Sequence, residues 1–333
     1  MHLSRPVASA ALALALIPAA AQAKSHADVT VMSRNLYLGA DIIQLATATD
    51  EASMEQKVQQ LYGTVQQTNF PVRAKRIAQE IKKTKPDAIA IQEVARYYQD
   101  GKIAHDWMKL LQGQLKKAGQ HYRQVSREDE IDVSARSAAG YNLRLVLGNA
   151  VLVRTGKHTR IKHIRDVHGV FKAQISVPLA SGTIVNLKRG YAGMDGRIAG
   201  KKFRFLAPHA EAYSADVAGQ QFAELLAGPA KSKKLPTIIA GDFNSDPADA
   251  SAEGYNNVIA AGFKDTGKRA ATCCQDENLL NPVSKLNQWI DHIVVRPRAK
   301  VLWSKIVGNT ASDRISGLWP SDHAGVVAKL RLR

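Results

Sequence analysis

Carboxylates, carboxamides and imidazoles recur in this chain at the ends of apolar runs. Asn35 closes VTVMSRN, Gln92 and Glu93 close AIAIQE, and His209 closes FRFLAPH. Asp242 and Asn244 follow TIIAG, Asp291 interrupts QWIDHIVV, and Asp322 and His323 precede AGVV. Short apolar runs of this kind read as buried strands, so each polar group is expected at or near a strand end. Folding gathers strand ends, and acids and imidazoles far apart in sequence can then share one cleft. Oxygen ligands suit a hard divalent cation, and imidazoles suit hydrogen bonding and proton transfer. Together they suit metal-assisted hydrolysis of phosphoesters.

Each segment also has a plainer reading. A carboxylate directly after AIAI is costly to bury unless it is paired or metal-bound, yet Glu93 could equally cap a strand at the surface. In GDFNSDP, Gly241 permits a tight exit. Asp242 and Asn244, two apart, point to one side if the backbone is extended; the alternative is an Asx turn before Pro247. Asp291 and His292 face opposite ways, and Asp291 is expected in the cleft, where a buried carboxylate orients an imidazole. Asp322-His323 reads as a metal carboxylate beside a catalytic imidazole, or as a turn. His209 reads as catalytic or as a core or surface histidine. Water is the expected nucleophile, and Mg²⁺ on Glu93 would neutralise charge building on phosphorus oxygens. The chain carries no GxSxG elbow, no P-loop lysine motif and no dinucleotide fingerprint.

The elements that must position these groups follow from the pattern. HADVTVMSRNLYLG is a first strand, 41–68 one or two short helices, and VRAKRIAQEIKKTK an amphipathic helix with Val72, Ile77 and Ile81 inward and its lysines and arginines outward. AIAIQEV is a strand, 104–118 a second helix, and HYRQVSR a weaker strand. NLRLVLGNAVLVRT reads as two strands split at Gly148-Asn149. GVFKAQISVPL, GTIVNLKRGYA and KKFRFLAPHA read as further strands. A helix is expected over 213–226, a strand at TIIAGDF, a short helix over 257–261, and late strands at QWIDHIVV, KVLWSKIV and AGVVAKLRL. Strands in succession between helices predict an α+β sandwich of two mixed sheets with helices on the outer faces.

The first 23 residues read as a secretory signal peptide. Arg5 precedes ALALALIPAA, and Ala21-Gln22-Ala23 is a small-residue cleavage site. The expectation is an exported protein, secreted or periplasmic, with residues 24–333 as one catalytic domain, monomeric, and no transmembrane segment once the leader is removed. The formal net charge of +17 attracts polyanions, so nucleic acid is the first expected partner and a lipid head group the alternative. Leu318 and Trp319 are possible contacts for a lipid, while the sequence leaves open whether Lys188, Arg189, Lys201 and Lys202 line the cleft. The two cysteines, Cys273 and Cys274, are adjacent. They can pair with each other or remain thiols, and cannot staple distant parts of the fold.

The ordered set QE, GDFNSDP, IDHI and SDHAGV, running between Val29 and Leu332, resembles the endonuclease/exonuclease/phosphatase superfamily. That group includes pancreatic-type deoxyribonuclease, abasic-site endonucleases, bacterial sphingomyelinases and inositol phosphatases. The resemblance implies a four-layer αββα sandwich and a Mg²⁺-dependent phosphodiester hydrolase, Mn²⁺ or Ca²⁺ being possible substitutes. It implies a nuclease acting on DNA or RNA, with a sphingomyelinase-like phospholipid phosphodiesterase or a phosphomonoesterase as alternatives. Asn35 would help hold phosphate and metal, Glu93 would be the principal metal carboxylate and Asp322 an acid near the metal. Asp242 and Asn244 would position water and contact phosphate. Asp291 would orient His323, the final catalytic histidine, and Tyr141 is the candidate for a tyrosine near the phosphate. His209 matches the histidine of an Asn-Thr-His-Leu motif, although here it stands in Ala207-Pro208-His209-Ala210, which lacks the same side-chain hydrogen bonds.

Overall fold

In the first sheet the strands run Ala299–Val307, Gly325–Leu332, Ala27–Asn35, Ala88–Gln92, Asn142–Arg154, Arg96–Gln99 and Lys102–Asp106, and Tyr122–Arg136 pairs with Asn142–Arg154. This computed structural model describes residues 27–178, 184–296 and 299–333. The expected signal peptide and its cleavage site lie outside the described residues, as do the first residue of the first expected strand and parts of GVFKAQISVPL and GTIVNLKRGYA. The second sheet runs Lys264–Asp265, Asp291–Arg296, Thr237–Asp242, Lys201–His209, Gly190–Ile198 and Lys162–Asp166, with Gly169–Val170 beside Gly190–Ile198. Helices flank the two mixed sheets, which gives the αββα sandwich expected from the sequence. Among the described residues no helix is long and apolar enough to cross a membrane.

The apolar runs are unbroken because both faces of the central strands are covered. In Ala88–Gln92, Ala88 and Ala90 face the other sheet, while Ile89 and Ile91 lie in the core beneath the helices. Thr237–Asp242 repeats the pattern, with Ile238 and Ala240 inward and Ile239 outward. Small residues between the sheets allow close approach, and large ones fill the space under the helices.

Two parallel pairs set the site. Ala27–Asn35 runs parallel to Ala88–Gln92 with Asn35 opposite Gln92, and the helices Glu51–Gln67 and Phe70–Thr84 make the crossover. Lys201–His209 runs parallel to Thr237–Asp242 with His209 opposite Asp242, crossing through Ala215–Ala227. Parallel strands require such crossovers and finish at the same edge. Antiparallel pairing then sets Asp242 opposite Asp291.

Several local expectations are corrected. Residues 104–118 are not all helix: Lys102–Asp106 is a strand, and the helix Trp107–Lys117 begins where Asp106 caps it by accepting from Lys109 N. Asn142–Arg154 is one strand, not two. Gly148 does not turn the chain; a Cβ there would lie 2.0 Å from the Glu128 carbonyl of the neighbouring strand. Residues 41–68 form a 3₁₀ turn, Ile42–Thr47, and one seventeen-residue helix, Glu51–Gln67. The next helix begins at Phe70, with Pro71 in its first turn, where no backbone donor is needed. Arg73 on that helix is fully buried rather than outward. Leu318 and Trp319 are buried with Tyr37 and Leu279, so they offer no lipid contact. The strands Arg96–Gln99 and Lys162–Asp166 had no recognised signal.

Candidate active site

Asn35 joins the two sheets. Its Nδ2 donates to Glu93 Oε1 at 3.0 Å and to Asp242 Oδ2 at 3.1 Å. Its Oδ1 accepts from Tyr37 N at 2.8 Å, which fixes the orientation of the amide. With its nitrogen toward both acids, Asn35 ties the two carboxylates together. Glu93 follows its strand in a left-handed conformation (φ 55°), and its Oε2 accepts from Leu38 N at 2.6 Å.

Asp242 is the hub. Its Oδ2 lies 3.7 Å from His209 Nε2 and 3.7 Å from His323 Nε2. His323 Nδ1 lies 2.8 Å from Asp291 Oδ2, and Asp322 Oδ1 is 3.9 Å from His323 Nε2. His292, adjacent to Asp291, faces away and pairs with Asp265 at 2.8 Å. Asn244 is not extended beside Asp242. It is left-handed (φ 46°), its N–H donates to Asp242 Oδ1 at 3.0 Å, and its Nδ2 donates to the Ala210 carbonyl at 2.9 Å. Asn244 therefore closes an Asx-type turn that fixes Asp242. The nine residues Asn35, Glu93, Arg189, His209, Asp242, Asn244, Asp291, Asp322 and His323 surround or support one cleft of about 600 Å³. Tyr141 does not take part; its ring packs edge-on against Tyr62.

Burial and crowding set the charges. Burial, then the Asp291 charge, pushes the Asp242 carboxyl up to about 6. Burial and then Asp322 raise Glu93, and burial raises Asp322. Burial, Arg189 and His323 hold His209 well below the ordinary imidazole value, so it is neutral. Burial alone would lower His323 as well, but Asp291, Asp322 and Asp242 outweigh it and hold His323 well above, so it is charged. Opposite neighbours thus drive two imidazoles apart.

Several contributors had no strong sequence signal. Arg189, the one member of the basic group Lys188, Arg189, Lys201 and Lys202 that lines the cleft, places Nη1 3.3 Å from His209 Nδ1. Its Nε lies 3.5 Å from Glu211; the three lysines are exposed. Arg73 donates to the carbonyls of Thr68, Leu36, Tyr37 and Pro320 at 2.6 to 3.1 Å. Arg34 donates to the His323 carbonyl and pairs with Glu80. Thr272 Oγ1 accepts from Asp291 N, and its carbonyl accepts from Ala324 N. Beside it, Cys273 and Cys274 are joined by a disulfide, with Cys273 Sγ 3.5 Å from His323 Nε2. Arg189 is placed beside His209 because Gly190, which follows it, lies opposite that histidine in the adjacent strand.

The donor set fits a hard cation. Glu93, Asp242 and Asp322 line the cleft, Asp242, Asp291 and His323 bring ligand atoms within 4.8 Å of one another, and the buried Asp291 Oδ1 has no hydrogen-bond partner. Three buried acids, Glu93, Asp242 and Asp322, whose proton affinity burial and a neighbouring carboxylate raise, form a site whose surplus negative charge a cation relieves. Cys273, Cys274 and His323 are similarly close, but disulfide sulfur carries no thiolate, and soft donors do not select Mg²⁺.

Comparison with known proteins agrees with the geometry. A family model described as "Endonuclease/Exonuclease/phosphatase family" matches residues 65–323. The chain is similar to an endonuclease/exonuclease/phosphatase family protein from Bacteroides thetaiotaomicron (19% identity, TM-score 0.58, covering 92% of this chain and 98% of that one). It is also similar to a mannosyl-6-phosphatase of the same species (20%, 0.54, 91% and 99%) and to D. rerio TDP2, solved with a single strand DNA product (15%, 0.55, 91% and 99%). At these identities the likeness is one of fold. No curated protein matches the chain.

Proposed function

Since this chain belongs to the endonuclease/exonuclease/phosphatase family, we propose that it is an exported, Mg²⁺-dependent phosphodiester hydrolase. The family and the cation-fitting donor set make it a metal-dependent hydrolase; the ion, the ester and the export are the proposal. The observation that carries it is the single carboxylate Asp242 held by Asn35 and faced by two imidazoles, one neutral and one charged. Export is supported by the Ala/Leu run and Ala21-Gln22-Ala23, and 24–333 is taken as one catalytic domain.

Glu93 and Asp322 would hold Mg²⁺, with Asn35 keeping Glu93 in place. When bound, the ion would supply positive charge for a phosphoryl oxygen. Asp242, held by Asn35 and by the Asn244 N–H, orients the attacking water and accepts its proton. His323, kept charged by Asp291, donates a hydrogen bond to a nonbridging oxygen. Neutral His209 is available to accept or relay a proton on the opposite wall. Arg189 adds a second cationic contact for the phosphate.

Nucleic acid as substrate is supported by the charge of +17 and by the DNA product bound to D. rerio TDP2. A phospholipid phosphodiester is favoured by the cleft lining, where seven acids, Asp41, Glu93, Asp242, Asp246, Asp249, Glu277 and Asp322, face one arginine and no lysine among the described residues. A groove for a polynucleotide needs several cations along it. The test is a hydrolysis panel with Mg²⁺ or Mn²⁺: duplex and single-stranded DNA, RNA, sphingomyelin, a simple diester and a sugar phosphate. Glu93→Gln is the control. Metal-dependent cleavage of a diester that Glu93→Gln loses is the expected result; turnover of monoesters alone, or of nothing, overturns the reading.

A further inference from the structure

A second cavity, of about 710 Å³, adjoins the catalytic cleft and differs from it in character. Aliphatic side chains line most of it, among them Ile42, Val58, Leu143, Leu145, Val177 and Leu187. Three chain segments pass directly from one space to the other. Ile42 lines both. On the strand Asn142–Arg154, the alternating positions Leu143, Leu145 and Leu147 share one face; Leu147 lines the cleft and the other two line the cavity. Leu187 lines the cavity, and Arg189, two residues on, lines the cleft. The apolar space therefore lies next to the cleft, with Ile42 as a common wall.

We propose that this cavity seats the aliphatic chain of a substrate whose phosphodiester occupies the cleft. The preferred substrate is then an amphiphilic, long-chain phosphodiester. Its size and lining are those of small-molecule sites, and each methylene seated there adds roughly fourfold to affinity. The occupant is the substrate's own chain rather than a free fatty acid, because of the charges around the cavity. Asp50, Glu51 and Glu55 line it, and its one cation among the described lining residues, Arg136, is already paired with Glu55 at 3.4 Å. A fatty-acid carboxylate would meet acids there, whereas a phosphodiester lies at the other end, beside Arg189. The inference rests on the phosphodiester-hydrolase reading and selects a substrate class within it.

The test uses the full mature chain with Mg²⁺ and a series of 4-nitrophenyl alkyl phosphodiesters, ethyl to decyl, kept below their micelle concentrations. The kcat/KM ratio of octyl to ethyl should exceed about a hundredfold, carried mainly by KM. Leu145→Trp, or Val58→Phe from the helix wall should the first variant fail to fold by circular dichroism, should shrink that ratio at least tenfold. A flat chain-length series, or a ratio unmoved by either folded variant, overturns the proposal. So does a kcat/KM for single-stranded DNA above that for the octyl ester. If the wild type hydrolyses no diester, the hydrolase reading has failed on its own. The cavity is then judged by calorimetry with decylphosphocholine and decanoate. Binding of the former alone, weakened in the variants, supports the tail site; binding of both or of neither overturns it.

Discussion

His209 and His323 stand on opposite walls of the cleft, each 3.7 Å from the same Asp242 oxygen, yet one is neutral and the other charged. What differs is the group behind each ring. His209 is backed by Arg189, and His323 is backed by Asp291. Both supports come from strand pairing: Asp291 lies opposite Asp242, and Arg189 precedes Gly190, which lies opposite His209. Proximity to a shared carboxylate does not fix an imidazole's charge when the ring is buried; its second charged neighbour does.

The comparison can be broken from the centre outward. Stripping divalent ions with a chelator should abolish turnover on both walls at once, and readdition of Mg²⁺ to the dialysed protein should restore it. Asp242→Asn, which leaves both rings without their shared partner, should lower kcat/KM by about 10³-fold; steady-state kinetics on the diester checks it. Asp291→Asn acts on one wall. His323 then loses the charge that raises its proton affinity, so its protonated form is confined to lower pH. Activity should fall about 10²-fold at neutral pH, and the deficit should narrow as pH is lowered. A pH–rate profile reads this out, and a deficit independent of pH would show that Asp291 only positions the ring. Arg189→Gln acts on the other wall, relieving His209 of a cation, and should cost about tenfold in kcat/KM with a rise in KM.

The smallest effect lies behind that wall. Glu130 is buried, bonded by Asn149 Nδ2 and near Arg189, and burial raises its pKa from 4.5 to about 8. The folded protein thus keeps a proton that the unfolded chain releases above the ordinary glutamate value. Its contribution to stability falls as pH rises between about 4.5 and 8. Glu130→Gln should flatten the dependence of Tm on pH in that window while leaving the contrast between the two histidines intact. Thermal melts across the range check it.

The gathering of these residues at one cleft was legible because most of them sit where an apolar run stops, and in a sandwich of central strands those stops lie near one edge. Asp291 facing inward and His292 outward followed from two-residue periodicity alone. Less was legible where a residue's partner lies far along the chain. Arg73 belongs to a lysine- and arginine-rich helix and reads as solvated, yet it is buried because carbonyls of two site loops converge on it. For Asn244 the sequence left an extended strand and an Asx turn open, and the bonds to Asp242 and Ala210 decide for the turn. Gly148 carries a turn signal that the close approach of Glu128 overrides, and Asp106 is a helix cap placed two residues inside an expected helix.

Asn35 reaches across from one sheet to an acid on the other, while His209, Asp242 and Asp291 sit side by side only in one alignment of their strands. Sliding any of these strands by one position would turn its cleft side chain to the opposite face. Turnover therefore doubles as a gauge of assembly. A refolded preparation with native-like helix content but misaligned strands would be silent in the diester assay, and the active fraction would count the molecules whose two halves have docked in register.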